Sequence, residues 1–405
     1  MSKYTIKDIF IVYNFLNKKI SNFVLILLSN NLSTLGQFAI INLIYGRLFK
    51  LKIIHCADIH LGSKMSTHFS SVQAKERQNE ILTTFGRMID YAKEENVEAI
   101  IIAGDLLDTD SGNIRACDYI LSAILANPNI EFLYLCGNHD ENSLILQNEN
   151  LPLNLHTFGK NWRSYSLGDV TISGVEIGKS DIYSKLKLDA SNLNIVVLHG
   201  QEIKGQKQDG EVINLSALKN KNIDYLALGH IHSYKLSKLD TRGVYCYSGC
   251  LEGRGFDECG EKGFVLLEIE EGKISPTFIP FASREFVELN VDISGLISIH
   301  QIKNAILEKL KGLIKNSIIR VNVIGSYTME TQKYFDLIEK DINLDYYYVQ
   351  IVDKTKLFLP QKDYSKDISL AGEYVKLIQD SDLDEDLKEQ TLVIGLKALN
   401  DTEVD

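Results

Sequence analysis

No apolar stretch in this chain of 405 residues reaches the ~18 to 20 residues that a membrane span requires. Residues 1–50 come nearest, with FVLILL and FAIINLIYGRLF, but polar SNNLST separates them. They also lack the small-residue cleavage site that follows the apolar core of a secretory signal. An internal repeat, a low-complexity tract and a long Gly/Pro linker are missing too, and the whole chain holds five prolines. The six cysteines are scattered at 56, 117, 136, 246, 250 and 259. Only Cys246 and Cys250 lie close together, and a structural zinc site needs about four nitrogen or sulfur ligands. Buried or free thiols in a reducing cytoplasm are expected instead. A basic excess is also absent: net charge is −11, and residues 51–405 carry 37 basic against 53 acidic residues, a balance of −16. Phosphate backbones are usually gripped by Lys and Arg, so this balance argues against a broad grip on DNA by this chain alone. It does not argue against phosphoester chemistry, because bound metal ions offset local acidity and attract phosphate directly.

What is present is a repeated pattern. Five short apolar runs between Lys52 and His232 each end in a polar cluster: KIIHCADIH, EAIIIAGDLLD, IEFLYLCGNHD, NIVVLHG and DYLALGHIH. Such runs read as strands buried on both faces, and in sheets of that kind functional groups collect at the carboxyl ends. The clusters supply Asp58, His60, Asp105, Asp108, Asn138, His139, His199, His230 and His232. Together these make a ligand set for two metal ions plus an acid, the equipment of a dinuclear metal-dependent phosphoesterase. Asp58 and His60 are two residues apart, so an extended backbone would point both to one side, and His230 and His232 repeat the spacing. Asp105 is placed to bridge two divalent ions about 3.5 to 4 Å apart, and the glycine before it allows close approach and a sharp turn. Asn138 offers a neutral carbonyl oxygen. His139, in an irregular turn, is left to act on substrate; alone, GNHD would also pass for an ordinary turn.

Between the first two strands, Ile81, Leu82, Phe85, Met88, Ile89 and Ala92 recur at helical spacing. A second helix over NIRACDYILSAILAN stops before Pro128. Beyond Asn150 short β-like pieces follow, with a hairpin around Glu271-Gly272. The expected fold class is α/β, a four-layer α/β/β/α sandwich with mixed sheets, a smaller C-terminal α+β domain and terminal helices. Residues 1–50 are read as an N-terminal extension, with a natural start at Leu51 from a TTG codon and a translated leader before it as the preferred origin. The core domain runs over 51–282. Residues 283–360 form the α+β domain, from strands REFVELNVDI, SIIRVNVIG and DYYYVQIVD and two amphipathic helices. Residues 361–405 form a helical segment with acidic starts suited to the helix dipole. Its Leu377, Ile378, Leu387, Leu392 and Leu396 point either to partner docking or to packing within the chain.

DIH, GDLLD, GNHD, LHG and GHIH, in this order, resemble the calcineurin-like metallophosphoesterase superfamily. The resemblance implies that Asp58, His60, Asp105 and His232 hold one metal, and that Asp105, Asn138, His199 and His230 hold the other. It implies that His139 is the general acid and that Asp108 orients it. The opening KIIHCADIHLG, the segment YSGCLEGRGFDECGEKGFVLLEI and a further C-terminal domain are similar to DNA-repair exonucleases of the SbcD and YhaO type. That likeness implies hydrolysis of DNA phosphodiester bonds by metal-activated hydroxide, two divalent ions (Mn2+ in the family), DNA as substrate and an SMC-like ATPase subunit of the SbcC or YhaN kind as partner. It permits a homodimer, and it implies no membrane association and a cytoplasmic location. The ligand types independently suit manganese, iron or zinc better than calcium. A phosphodiesterase or phosphatase acting on a small molecule or phosphoprotein is the alternative. His55, His68, His156 and His300 are read as structural. Lys64 and Arg254 are read as solvated surface charge before phosphate contacts, and Tyr346 to Tyr348 as packing before base stacking.

Overall fold

The computed structural model describes residues 50–65, 69–108, 114–137, 145, 151–177, 182–203, 212–328, 331–358 and 368–399. The N-terminal extension, apart from Lys50, lies outside the described residues, as do His68, Asn138, His139 and Pro360.

The chain opens with β1 (Leu51–Cys56), α1 (Ser71–Glu94), β2 (Ala99–Ala103), α2 (Ile114–Leu125), β3 (Glu131–Leu135) and β4 (Leu155–Thr157). Next come β5 (Arg163–Leu167), β6 (Val170–Gly174), β7 (Leu193–His199), a small parallel pair β8 (Gln201–Ile203) and β9 (Val212–Asn214), and the one-turn α3 (Leu215–Leu218). Strands β10 (Tyr225–Gly229), β11 (Lys235–Lys238), β12 (Val244–Tyr247), β13 (Gly263–Glu270) and β14 (Lys273–Pro280) complete this part. They form two six-stranded sheets, ordered β14-β13-β1-β2-β3-β4 and β11-β12-β10-β7-β6-β5. The central strands of each are parallel. The β13–β14 hairpin turns on Glu271 and Gly272, with φ +50° and +74°, the left-handed pair that a two-residue hairpin loop requires.

Alternation along the strands builds the layers. Ile53, Ile101, Leu133 and Leu135 meet Ile195, Val197, Tyr225 and Ala227 between the sheets. Ile54, Ile100, Ile102 and Phe132 turn to the other face, under Ile81, Phe85, Met88 and Ile89 of α1 and Ile120 and Ile124 of α2. Helix α1 starts at a capping box, Ser70 accepting from the Gln73 amide at 3.3 Å while Gln73 accepts from the Ser70 amide at 3.2 Å. On the far side, Val196, Leu198, Leu226 and Leu228 pack beneath Ile182, Leu186, Leu215 and Leu218. The result is the expected α/β sandwich. His55 is the polar residue of the inter-sheet layer, its Nδ1 2.9 Å from the Tyr225 hydroxyl; burial pushes the imidazole down to about 3, so it is a neutral core residue. His156 lies in strand β4, where its Nε2 meets Glu131 at 2.6 Å.

A third sheet is all parallel, β15 (Phe286–Asp292), β16 (Ile318–Ile324) and β18 (Tyr348–Asp353), flanked by α4 (Ile299–Leu310) and α5 (Phe335–Ile342) over a core of its own. Two short strands, β17 (Ser326–Tyr327) and β19 (Lys356–Leu357), pair beside it. Helices α6 (Leu370–Gln379) and α7 (Glu385–Leu399) pack on each other through Val375, Ile378, Leu392 and Leu396, whereas Leu377 and Leu387 stay exposed. Three of the five apolar positions singled out in this segment are therefore used within the chain. Tyr347 lies under the Arg284 guanidinium, 3.3 Å from its ring centroid, and Tyr348 meets Phe69 edge-on at 5.3 Å, so packing occupies these rings. No helix among the described residues is long and apolar enough to cross a membrane.

Arg77 of α1 is fully buried. It donates to Glu252 at 3.1 Å and to the Gly253 carbonyl at 2.9 Å, and it pairs with Glu80, which in turn accepts from Arg284 at 2.8 Å. Thr84 donates to the other Glu252 oxygen at 2.7 Å. This network ties α1 to the segment after β12 and to the entrance of the third sheet. Arg77→Ala would leave a buried carboxylate without its cation, and the unfolding free energy is expected to fall by about 3 to 5 kcal/mol. Denaturant titration measures it, with the double variant Arg77→Met/Glu252→Met recovering most of the loss; a drop under about 1 kcal/mol would mean that Glu252 was not relying on Arg77.

Candidate metal centre

The candidate ligands gather where β1, β2, β7 and β10 end. The loops after β1 and β2 run side by side, with the Asp58 amide donating to Gly104 O at 3.1 Å, His60 to Asp105 O at 3.0 Å and Leu61 to Leu106 O at 2.9 Å. Asp58, His60 and Asp105 adopt φ of +51°, +49° and +51°, and His230 +97°. This corrects the expectation of an extended backbone at the Asp-x-His and His-x-His pairs: β1 has ended at Cys56, and left-handed residues turn the side chains inward. Such conformations cost on the order of 1 to 3 kcal/mol each and persist where surrounding bonds over-determine them, often at functional sites. Here the interloop bonds do so, along with the His230 amide, which donates to both Asp58 carboxylate oxygens at 2.9 and 3.0 Å.

Two glycines let the loops close. A Cβ on Gly104, at φ +95°, would stand 2.1 Å from His199 Nδ1, and one on Gly137 would stand 2.1 Å from an Asp105 carboxylate oxygen. Only a residue without a side chain permits either approach.

One donor atom each of Asp58, His60 and His232 lie within 4.8 Å of one another, as do those of Asp58, Asp105 and His199. The Nε2 atoms of His60 and His232 are 3.4 Å apart. Asp105 Oδ2 lies 3.8 Å from His60 Nε2 and 3.4 Å from His199 Nε2, between the two groups. His199 Nδ1 donates to the Ala103 carbonyl at 2.9 Å, so Nε2 is the ring nitrogen left facing Asp105, the one that a metal would use. The His230 ring stands edge-on to His199, centroids 5.4 Å apart, but joins neither group of three. Asp108 is drawn in by its backbone N–H, which donates to the Leu61 carbonyl at 3.2 Å. Asn138 and His139 lie outside the described residues.

Asp58, His60, Asp105 and His199 are all at most 4% exposed. Burial raises the Asp58 carboxyl to about 6, against the pull of His199, His232 and the His230 amide. Burial would lower His199, but Asp105 and Asp58 carry it up to about 9. Buried acceptors that would otherwise recruit protons to offset each other's charge suit divalent cations. The donor set fits a dinuclear centre.

Sequence reasoning missed Glu258 and misjudged Arg254. Glu258, 5% exposed in a one-turn 3-10 helix (Phe256–Glu258), accepts from His232 Nδ1 at 2.6 Å and from Arg254 Nη2 at 2.9 Å and Nε at 3.3 Å. Burial alone would raise its pKa; those two partners hold it down to about 2. Arg254 is therefore not solvated surface charge: its side chain is 20% exposed and its Nη1 stands 3.9 Å from Asp108. Lys262, also buried, donates to the His232 carbonyl at 2.9 Å. The acidic residue in GFDECGEKG was visible, but nothing local assigns it to a histidine 26 residues earlier.

Paired sheets with carboxylates and imidazoles converging at their carboxyl edge define a metal-dependent phosphoesterase. Residues 51–234 match the family of calcineurin-like phosphoesterases, and this part of the chain is a calcineurin-like metallophosphoesterase domain. The chain is similar to the DNA double-strand break repair protein Mre11 of Sulfolobus acidocaldarius, with 24% identity over 299 residues, 68% of this chain and 75% of that one. It is similar to the protein of the same name from Saccharolobus solfataricus, with 26% identity over 341 residues, 77% of this chain and 86% of that one. The uncharacterized metallophosphoesterase YhaO of Bacillus subtilis shares 25% over 247 residues, 57% of this chain and 60% of that one.

Proposed function

We propose that the chain is a metal-dependent DNA exonuclease acting in repair, with single-strand endonuclease activity as a second capacity. The observation that carries the chemistry is the Asp105 carboxylate standing between the His60 and His199 nitrogens. Its direction toward DNA draws support from the two relatives named for double-strand break repair. Asp58, His60, Asp105 and His232 would hold one ion, and Asp105, Asn138, His199 and His230 the other, with Mn2+ the metal of choice for this mixture of imidazole and carboxylate. Two such ions would activate water and offset charge developing on the phosphoryl oxygens. The rest falls to the protein. The left-handed loops hold the carboxylates in place before substrate arrives, His139 would give its proton to the leaving oxygen, and Asp108 would keep that imidazole in the right tautomer.

Residues 51–282 serve in this reading as the nuclease domain, 283–360 as a capping domain over DNA and 361–405 as a helical segment. The −16 balance of residues 51–405 leaves most of the DNA grip to a basic partner, an SMC-like ATPase. Purified protein with Mn2+ is incubated in parallel with end-labelled duplex DNA, single-stranded DNA and a chromogenic phosphodiester. Metal-dependent release of short products from DNA ends is expected. Hydrolysis of the chromogenic ester with both DNAs left intact would select a small-molecule or phosphoprotein substrate instead.

A further inference from the structure

The rim of the metal centre holds a cation that the ligand assignment does not use. Arg254 is gripped on one edge by Glu258, through Nε at 3.3 Å and Nη2 at 2.9 Å. Its backbone amide also donates to Glu258, at 2.8 Å. A guanidinium offers five N–H donors in a fixed fork, so this grip sets the direction of the remaining edge. Nη1 faces Asp108 at 3.9 Å, beyond hydrogen-bond reach. The same Glu258 accepts from His232 Nδ1 at 2.6 Å, which places the His232 proton on Nδ1 and turns Nε2 toward His60. One carboxylate therefore fixes both a candidate ligand and a neighbouring cation. The 3-10 helix carrying it is braced from the third sheet, where Arg320 covers the Phe256 ring at 3.9 Å and Phe286 meets Phe256 edge-on at 5.3 Å.

We propose that Arg254 binds a non-bridging oxygen of the substrate's phosphate through Nη1, and that Glu258 is the positioning residue holding Arg254 and His232 in register for it. Lys262 is already committed to the His232 carbonyl, whereas Arg254 presents a part-exposed head next to the ligands. The inference rests on the phosphoesterase reading, and the ligand class is a phosphate monoanion or dianion, whatever group it is esterified to.

The test uses the full chain as wild type, Arg254→Gln, Arg254→Lys and Glu258→Gln. Calorimetry measures Mn2+ binding, then binding of inorganic phosphate to the Mn2+-loaded protein, and steady-state kinetics follow a chromogenic phosphodiester. Arg254→Gln is expected to leave Mn2+ binding unchanged and to weaken phosphate binding about tenfold or more, the worth of one charge-assisted hydrogen bond. It should lower kcat/KM by roughly 10²-fold, with Arg254→Lys recovering part of both. Glu258→Gln should in addition weaken Mn2+ binding by about 10- to 100-fold, the usual cost of losing a ligand's orienting partner. Unchanged phosphate affinity in Arg254→Gln overturns the proposal, as does a loss of Mn2+ affinity there equal to that of Glu258→Gln, which would make Arg254 a mere support for His232. A wild type that binds phosphate through Arg254 but hydrolyses no ester would sink the phosphoesterase reading and leave the Arg254 site standing.

Discussion

Asp105→Ala is expected to abolish Mn2+-dependent turnover, by about 10³-fold or more, and to remove the cooperative uptake of two ions. Its Oδ2 lies 3.8 Å from His60 Nε2 and 3.4 Å from His199 Nε2, so a single carboxylate oxygen reaches toward both histidines. In the metal-free protein the substitution removes two opposed interactions. Asp105 repels the buried Asp58 carboxylate, but against the lowering by burial its hydrogen bond and charge help carry His199 up to about 9. The His199 pairing is the larger of the two, so the metal-free variant is expected to melt no higher than the wild type. Only the wild type should gain Tm on adding Mn2+, because a ligand stabilises in proportion to its binding to the folded state. Thermal scans with and without Mn2+ measure this, and an equal Mn2+-induced rise in both proteins would remove Asp105 from the centre.

His139→Ala is expected to separate chemistry from metal binding. A general acid contributes about 10²- to 10⁴-fold, and it does so in proportion to how badly the leaving group needs a proton. DNA, whose leaving alkoxide is strongly basic, should lose close to the full factor. A nitrophenyl phosphodiester, whose leaving phenolate is stable unprotonated, should lose far less. Mn2+ titrations should superimpose on the wild type. Equal losses on the two substrates would show that His139 acts on something other than the leaving oxygen, and undiminished DNA cleavage would remove it from the reaction.

The features legible in the sequence were those that depend on strand ends. Asp58, His60, Asp105, His199, His230 and His232 could be named because apolar runs buried on both faces have to form a parallel sheet, and the residue after each run then has to emerge at one edge. The two-residue hairpin at Glu271-Gly272 was legible for a similar reason, since few residues accept its left-handed backbone. What failed was local geometry carried too far. The pairs at 58/60 and 230/232 converge through left-handed turns in place of an extended backbone, because hydrogen bonds to a neighbouring loop, remote in sequence, impose that shape. Arg254 looked like solvent-exposed charge because its partner sits on a single turn of 3-10 helix that propensity does not announce.

By itself, then, the order of residues determined the two-sheet sandwich and named the candidate ligands with the chemistry they suit, since hydrophobic periodicity and ligand type are written directly along the chain. Tertiary structure alone decided which donor atoms face each other, which ring nitrogen of His199 and His232 is turned to its neighbours, and which carboxylate holds Arg254 beside the candidate ligands. Those are set by contacts such as His199 with Ala103 and His232 with Glu258. Contacts of that kind join segments whose proximity depends on how the whole sheet closes, and hydrogen bonds a few ångströms long have no trace in a linear pattern.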